Sequence, residues 1–264
     1  MLSSFSTSIS KYYKPVVIVP PDPNLINYFN FDTVYDSSGG PWTSGVHYLA
    51  NTASGTIGPL YRSLNSATAY QSTITKKWGT GSMYTNNGTF RNDTNNYTFP
   101  ENTGLSFSFW VYNIISGNTY SPLFGYATTA SDQQVALRMV SNGNPPYSIN
   151  LCVDNSTPPD SGGTTVTGGT LNANQWYHIA WTISSAAYGA TATHKIYLDN
   201  VLIYTNAALK YPGNYLRKYQ DLGSQAGWGV GAEYIDTFRY YNKTLTAGEV
   251  SNIYTNLDPN NVLI

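Results

Sequence analysis

The chain has 264 residues, enough for one large domain with a substantial core. Only 10% of the residues are charged, and 13 Lys and Arg against 14 Asp and Glu leave a net charge of −1. Without a basic field, the chain is not expected to bind nucleic acid or an anionic membrane surface. No apolar run approaches the roughly 20 residues that span a bilayer, so no membrane insertion is expected. The single cysteine, Cys152, excludes an intrachain disulfide and is predicted to be a buried, small apolar side chain.

Residues 1–24 differ from the rest of the chain because serine-rich sequence leads into a proline-bearing segment. The prolines force extended backbone and remove amide donors, so this part is not predicted to be a helix. Its apolar, β-branched run suits an arm that contacts a neighbouring subunit, although a disordered tail remains the alternative. The residues that would bind such a partner are Pro15, Val17, Ile18, Val19 and Pro20.

The N-terminal sequence has neither the charged segment nor the continuous apolar segment of a signal peptide. Together with the proline-bearing arm, the low charge and the 24 tyrosines, this favours a location at the surface of a virion or particle, or outside the cell by a non-classical route.

Alternating apolar and polar residues predict a β domain that opens at Leu25. Residues 105–112 form the clearest single strand, with Phe107 and Phe109 on one face and Trp110 on the other. Gly, Asn and Pro turns separate the runs. Further strands are predicted at residues 25–32, 46–49, 69–74, 78–84, 122–126, 134–140 and 147–153.

Residues 154–169 are rich in Gly, Pro, Ser and Thr and are predicted to be a turn-rich insertion at a rim of the domain. Further along, Asp199 and Asn200 tolerate positive φ and suit the two-residue turn of a tight hairpin. The later strands are predicted at residues 177–184, 194–198, 201–204, 228–232 and 234–241, with an aromatic loop at 211–219.

A short helix is predicted at residues 247–254. Thr246 and Glu249 have the spacing of a capping box, in which each side chain bonds the other residue's amide. Leu245 and Val250 flank the cap at the positions of a hydrophobic staple.

Three of these segments resemble the laminin-G-like, or concanavalin A-like lectin/glucanase, sandwich family. They are the run WYHIAWT followed by KIYLDNVLI, the strand at 105–112, and the closing motif at 235–254. The resemblance implies an all-β, antiparallel jelly-roll β-sandwich over residues 25–257. The sequence adds an extended N-terminal arm at 1–24, one short C-terminal helix and a short tail at 258–264. The family contains enzymes, lectins and structural modules, so the fold alone leaves the function open.

Glycosidases on this fold place two acids on one face of a strand, with an even spacing between them. No two glutamates here are two or four residues apart, and Glu233 and Asp236 would face opposite sides of a strand. We therefore predict no catalytic residue and no enzymatic activity. The histidines belong to no recognisable nucleophile motif and are predicted to be structural. The glutamates are Glu101, Glu233 and Glu249, and the histidines are His47, His178 and His194.

Related sandwiches often hold Ca²⁺ with carboxylate and backbone oxygens, which suit a hard cation. Two aspartates match acidic positions of the family and a third lies in the adjacent turn. The resemblance therefore implies a calcium site formed by Asp32, Asp36 and Asp236. The alternative is that Asp236 pairs with Arg239 or caps a turn. No other cofactor is expected.

Sugar binding would need aromatic platforms and polar side chains on rim loops or on one sheet face. The candidates for ligand binding are Trp42, Tyr61, Tyr211, Asn214, Tyr215 and Trp228. The chain has 24 tyrosines, so core packing or assembly contacts explain the same residues equally well.

Two functions from different classes follow. The first is a non-catalytic structural or surface component of a larger assembly, such as a virion or capsid-associated protein, whose arm contacts other protein subunits. The second is a lectin-like, carbohydrate-binding module whose partners are glycans. A glycoside hydrolase or lyase relative is a distant third.

Overall fold

The structure is a computed structural model. It describes residues 22–29, 31, 34–36, 47–49, 60–62, 70–85, 90–92, 96–114, 120–128, 134–141, 146–155, 163–225, 228–230 and 233–255. Among these residues, the chain forms nineteen strands and one helix.

The strands are β1 (Leu25–Phe29), β2 (Val34–Asp36), β3 (His47–Leu49), β4 (Leu60–Arg62), β5 (Tyr70–Ser72), β6 (Ser82–Tyr84), β7 (Phe90–Asn92), β8 (Leu105–Asn113), β9 (Tyr120–Ala127), β10 (Gln134–Val140), β11 (Tyr147–Asn155), β12 (Thr164–Leu171), β13 (Trp176–Ile183), β14 (Thr191–Leu198), β15 (Val201–Lys210), β16 (Tyr219–Leu222), β17 (Ser224–Gln225), β18 (Trp228–Val230) and β19 (Glu233–Tyr241). The helix is α1 (Ala247–Thr255).

Two large antiparallel sheets confirm the predicted jelly-roll sandwich and its single short helix. The first sheet has the order β15-β14-β13-β8-β19-β6-β5, and β1 pairs with β19. The second sheet has the order β12-β11-β10-β9-β16-β7-β4-β3-β2, and β17 pairs with β18 separately.

Aromatic rings fill the space between the sheets. Phe107 of β8 lies 4.6 Å from Phe124 of the opposite sheet and 5.0 Å from Tyr240, measured between ring centroids. Trp181 of β13 is fully buried and lies 5.6 Å from Phe107. Rings at these separations bury large apolar areas and add favourable ring contacts, so this cluster helps to hold the two sheets together.

The hairpin between β14 and β15 forms as predicted. Asp199 and Asn200 have φ values of 48° and 67°, the left-handed region that a two-residue hairpin turn requires. The Asp199 carboxylate also accepts a hydrogen bond from the backbone N–H of His178, at 2.8 Å. One residue therefore shapes the turn and ties it to the neighbouring strand.

The helix α1 begins with the predicted capping box. Thr246 Oγ1 accepts a hydrogen bond from the Glu249 N–H at 3.2 Å, and Glu249 Oε2 accepts one from the Thr246 N–H at 2.7 Å. Leu245 and Val250 are both buried and pack in a second apolar cluster, beyond the first sheet. The helix therefore covers part of the outer face of the first sheet.

Several strand boundaries differ from the sequence-based prediction, and the strands β4, β7 and β16 were not predicted. Residues 164–169 belong to β12 rather than to a turn-rich insertion, and β15 extends past 204 to Lys210. The backbone of β12 passes so close to β15 that it leaves no room for a side chain at Gly168. A Cβ added there would lie 2.8 Å from the carbonyl oxygen of Ile203.

The packed domain includes residues just before Leu25. Asp22 is buried, and its carboxylate forms an ion pair with Lys243 at 2.5 Å. Its backbone oxygen accepts a hydrogen bond from the Leu25 N–H at 2.9 Å. Within the described ranges, no helix is long and apolar enough to cross a membrane.

Candidate functional site

Four aromatic side chains form a continuous row across the outer face of the first sheet. Tyr112 of β8 pairs directly with Trp176 of β13 on one side and with Tyr234 of β19 on the other. Tyr234 pairs in turn with Tyr84 of β6. We call Trp176, Tyr112, Tyr234 and Tyr84 the aromatic row.

The rings of the aromatic row contact one another in sequence. Tyr84 and Tyr234 are stacked, with ring centroids 4.5 Å apart and planes inclined by 24°. Tyr112 meets Tyr234 edge-on at 5.8 Å and Trp176 edge-on at 5.5 Å. All four side chains are partly exposed, so this is a solvent-facing aromatic surface rather than core.

The pleat of the strands explains why these rings point outward. Successive side chains on a strand face opposite sides, and Val111, on β8 just before Tyr112, is fully buried between the sheets. The same holds for β19, where Ile235 is buried in the core and Tyr234 is not. The sequence therefore places a tyrosine on the outward face of both β8 and β19, at paired positions.

On the same face of the sheet, the neighbouring outward-facing position of β8 is covered. Trp110, two residues before Tyr112, is 4% exposed and stacks on Tyr254 of α1 at 5.5 Å. Lys77 Nζ lies 4.0 Å from the centroid of the Trp110 ring, a cation–π contact. The aromatic row is therefore partly exposed, although it lies next to Trp110, which α1 and Lys77 cover.

Polar groups lie between the sheets behind the aromatic row. Glu233 is buried, and its Oε2 accepts a hydrogen bond from Ser121 Oγ of the second sheet at 2.6 Å. Its Oε1 and the Nδ2 of its strand partner Asn113 have no hydrogen-bond partner among the described residues. Desolvation by burial raises the pKa of Glu233 to about 8, against the opposing effect of the Ser121 hydrogen bond. The side chain is therefore protonated at neutral pH.

The buried histidines take structural positions. Nδ1 of His194 accepts a hydrogen bond from Trp181 Nε1 at 3.1 Å, and its Nε2 donates one to the Lys210 carbonyl at 3.0 Å. His178 lies 2.9 Å from Ser108 Oγ through its Nε2. Desolvation by burial lowers the pKa of His178 to about 3 and that of His194 to about 4, so both rings are neutral. The third histidine, His47, is described only through its backbone in β3.

The glutamates are far apart in the fold. Glu101 is exposed in the loop before β8, where it accepts a hydrogen bond from the Tyr188 N–H at 3.1 Å. Glu233 is buried at the opposite end of the strands, and Glu249 caps α1.

The calcium prediction falls mostly outside the described structure. Asp32 lies outside the described residues, and Asp36 is described only through its backbone in β2. Asp236 is buried, and its Oδ2 accepts hydrogen bonds from the N–H groups of Lys77 and Trp78 at 2.9 and 3.0 Å. In these two hydrogen bonds, the Asp236 carboxylate caps the backbone of a turn, which was the predicted alternative to calcium binding. In the described part of the chain, no group of three or more His, Cys, Asp and Glu side chains could hold a metal ion.

The structure describes the side chains of three predicted ligand-binding residues, Tyr211, Asn214 and Tyr215, and these three do not form one surface. Tyr211 is fully buried and donates a hydrogen bond to the Pro100 carbonyl at 2.5 Å, so the expectation that its ring is a binding platform is wrong. Asn214 and Tyr215 are exposed on the loop at residues 211–218, and Tyr215 is 39% exposed. The remaining candidates are Tyr61 and Trp228, described through their backbones in β4 and β18, and Trp42, which lies outside the described residues.

A buried ion pair fixes the loop at residues 211–218. Arg217 is fully buried and lies 2.5 Å from Asp154 Oδ1 at the end of β11. The second oxygen of Asp154 accepts a hydrogen bond from the Gly213 N–H, and the Arg217 guanidinium lies over the Phe99 ring at 4.8 Å. Desolvation by burial raises the pKa of Asp154, although the Arg217 charge opposes the shift. The loop is therefore held by a partly desolvated charge pair.

Sequence reasoning missed the aromatic row. The alternation at 105–112 places Tyr112 on the face opposite the core, and the same pattern applies to Trp176 and Tyr234. The missing information was the register between strands, because the four residues come from four segments far apart in the chain.

Residues 84–251 match the model of the concanavalin A-like lectin/glucanases superfamily. This match covers more than half of the chain, so the chain belongs to this family, as the sequence resemblance indicated. No curated protein sequence matches it.

Several solved structures share the fold at low sequence identity. The binding domain of botulinum neurotoxin serotype D is 13% identical, with a TM-score of 0.55 over 88% of this chain and 51% of that one. The serotype D ligand-binding domain in complex with N-acetylneuraminic acid is 12% identical, with a TM-score of 0.54 over 88% and 50%. The binding domain of botulinum neurotoxin DC in complex with rat synaptotagmin II is 11% identical, with a TM-score of 0.54 over 89% and 52%.

The chain thus spans about half the length of these toxin domains, and the likeness establishes the fold alone. All three of those structures are binding domains rather than catalytic domains.

Proposed function

We propose that the protein is a non-catalytic, lectin-like module that binds carbohydrate through the aromatic row. The observation that carries this proposal is the line of four partly exposed, mutually contacting rings at paired positions on neighbouring strands. Partly exposed aromatic surfaces of this extent are uncommon on soluble proteins without a binding role.

The chemistry of the rings suits sugars. The face of an aromatic ring is electron-rich, and the C–H groups on one face of a pyranose are weakly positive, so the two surfaces attract each other. Tyr and Trp also offer rigid contact area at low entropic cost, with a polar atom at the edge for hydrogen bonds to hydroxyls. The low charge of the chain, with 10% charged residues, makes the stacked bases of a nucleic acid a poor alternative.

The glutamate positions favour binding over hydrolysis. A glycosidase needs two carboxyl groups on either side of one bond. Here Glu101 and Glu233 lie at opposite ends of the first sheet, and Glu249 is engaged at the helix N-terminus. The fold also serves toxin binding domains, one of them in complex with N-acetylneuraminic acid and one with synaptotagmin II. This supports a binding role and leaves the ligand to be identified.

The test is binding of the full chain and two variants, Trp176→Ala and Tyr112→Ala, to a glycan array. We expect the full chain to bind and both variants to lose at least about tenfold in affinity, because Trp176 is the largest ring of the row and Tyr112 is a central one. Tyr215→Ala is the matched control, since it removes an exposed ring from the rim loop. Near-UV circular dichroism would show whether the variants keep their packing. Loss of binding in Tyr215→Ala with retention in the row variants would place the site on the rim loop instead.

Membership in a larger assembly is a second candidate. Val201 and Leu202, at the start of the edge strand β15, are 62% and 47% exposed, which favours a protein contact there. The arm residues Pro15, Val17, Ile18, Val19 and Pro20 lie outside the described residues, so their role in an assembly stays a prediction. The expected location on a virion or particle surface is likewise a prediction.

A further inference from the structure

We propose that the aromatic row takes an extended, uncharged glycan chain, with several consecutive sugar units lying across the strands of the first sheet. The alternative is a terminal sugar held in a pocket. This inference rests on the proposed function and adds the shape, length and charge of the ligand.

The length of the aromatic row sets the length of the ligand. Four neighbouring strands contribute one ring each, and strands lie about 4.8 Å apart, so the row spans about 14 Å. One strand spacing is close to the length of one pyranose unit in an extended polysaccharide, so successive rings can meet successive units. Tyr84 and Tyr234 stack on each other, so they contact a sugar through the ring edge, the hydroxyl and any face left free. The backbone register continues to a fifth strand, where Tyr70 of β5 pairs with Tyr84.

The shape of the surface fits a chain better than a single sugar. The four ring positions follow the hydrogen-bonding direction of a sheet, which is a linear path. A terminal sugar would contact one or two of these rings and leave the others exposed. Only a ligand of several units uses the whole row.

The polar groups beside Trp176 are neutral amides. Asn172, Asn174 and Gln175 are exposed in the turn that leads into β13. The Asn174 N–H donates to the Asn113 carbonyl at 2.8 Å, which fixes this turn against β8. Amides donate and accept hydrogen bonds without charge, so they match sugar hydroxyls.

A nearby lysine is already engaged elsewhere. Lys77 Nζ lies over the Trp110 and Trp78 rings, at 4.0 and 5.3 Å from their centroids. Strong recognition of a carboxylate on a sugar would use Arg or Lys with direct hydrogen bonds. The surroundings of the aromatic row that the structure describes therefore favour an uncharged chain.

The test is isothermal titration of the full chain with linear oligosaccharides of one to six units. The neutral series are derived from cellulose, xylan, mannan, galactan and chitin, and an oligogalacturonate series supplies the acidic comparison. In at least one neutral series, we expect the affinity to rise at least about tenfold between two and four units and then to level off. We expect no comparable gain with the acidic series.

Variants connect the length dependence to the row. Trp176→Ala should lower the affinity for the hexasaccharide about tenfold and shift the plateau to a shorter chain. Trp176→Phe should retain most of the affinity, and Leu216→Ala, which removes an exposed apolar side chain from the rim loop, should behave as the full chain. If a monosaccharide bound as tightly as a hexasaccharide, or if the acidic series bound best, the inference would be wrong while the proposed function stood. If no glycan bound, both would be wrong.

Discussion

At the scale of single residues, Glu233 is the side chain whose ionisation should control stability. Burial raises its pKa to about 8 from 4.5, so the folded protein holds a proton that the unfolded chain releases. The free energy of unfolding should therefore fall as the pH rises from 4.5 to 8, with a slope approaching about 1.4 kcal/mol per pH unit. We predict that Glu233→Gln removes this fall, and that the variant is more stable than the unmodified chain at pH 9.

The measurement is urea unfolding of both proteins between pH 5 and 9. Below about pH 6.5 the buried His178 and His194 act in the opposite direction, because their lowered pKa values make stability rise with pH. The fall caused by Glu233 is therefore clearest between about pH 6.5 and its folded-state pKa of about 8. Glu101→Gln, which changes an exposed glutamate, should follow the unmodified chain at every pH. Parallel curves for Glu233→Gln and the unmodified chain would contradict a buried, protonated Glu233.

At the scale of elements, the ion pair between Arg217 and Asp154 holds the loop at 211–218 against β11. We predict that Arg217→Met lowers the free energy of unfolding by about 3–5 kcal/mol, because it leaves the Asp154 carboxylate buried without its cation. The measurement is chemical denaturation, with Lys218→Met as the control because Lys218 is the exposed neighbour in the same loop.

The double variant Arg217→Met with Asp154→Asn should lose less than the sum of the two single changes, because no unpaired charge remains. Equal losses in Arg217→Met and Lys218→Met would show that the pair does not stabilise the loop.

The individual elements differ in how far the sequence predicted them. The turn at Asp199 and Asn200 and the cap at Thr246 were predictable because both depend on the chemistry of adjacent residues. The strand β12 was not, because Gly168 and Gly169 look like turn residues until the close approach of Ile203 is known. Local composition therefore predicts turns and caps well. It wrongly predicts a turn where glycines lie within a strand because a neighbouring strand passes close to them.

The aromatic row shows the same limit for the site. The alternation in β8 puts Tyr112 on the face opposite Phe107 and Phe109, but the sequence could not show that Trp176 and Tyr234 lie beside it. Tyr211, in an aromatic loop segment, was named as a ligand-binding candidate with core packing as the equal alternative, and it is buried. Tyr211 packs in the main apolar core, and its hydroxyl donates to the carbonyl of Pro100, more than a hundred residues earlier in the chain.

At the scale of the whole molecule, the covering of the first sheet determines which surface is available. Tyr254 of α1 covers Trp110, and Asp236 holds the backbone of Lys77 and Trp78 against the same face. The aromatic row, which includes Tyr112, stays partly exposed beside these covered residues. A glycan at the aromatic row and a protein contact at Val201 and Leu202 use different parts of the surface, so the two candidate functions are compatible.

The last prediction concerns self-association through the N-terminal segment. We expect the full chain to form oligomers in solution and a truncated chain lacking residues 1–21 to be monomeric, measured by light scattering. The truncation keeps Asp22, because its ion pair with Lys243 belongs to the packed domain. Glycan binding should be unchanged, since the aromatic row lies on β6, β8, β13 and β19. Val17→Ser with Val19→Ser tests the apolar run without shortening the chain, and a monomer for the full chain would exclude assembly through this segment.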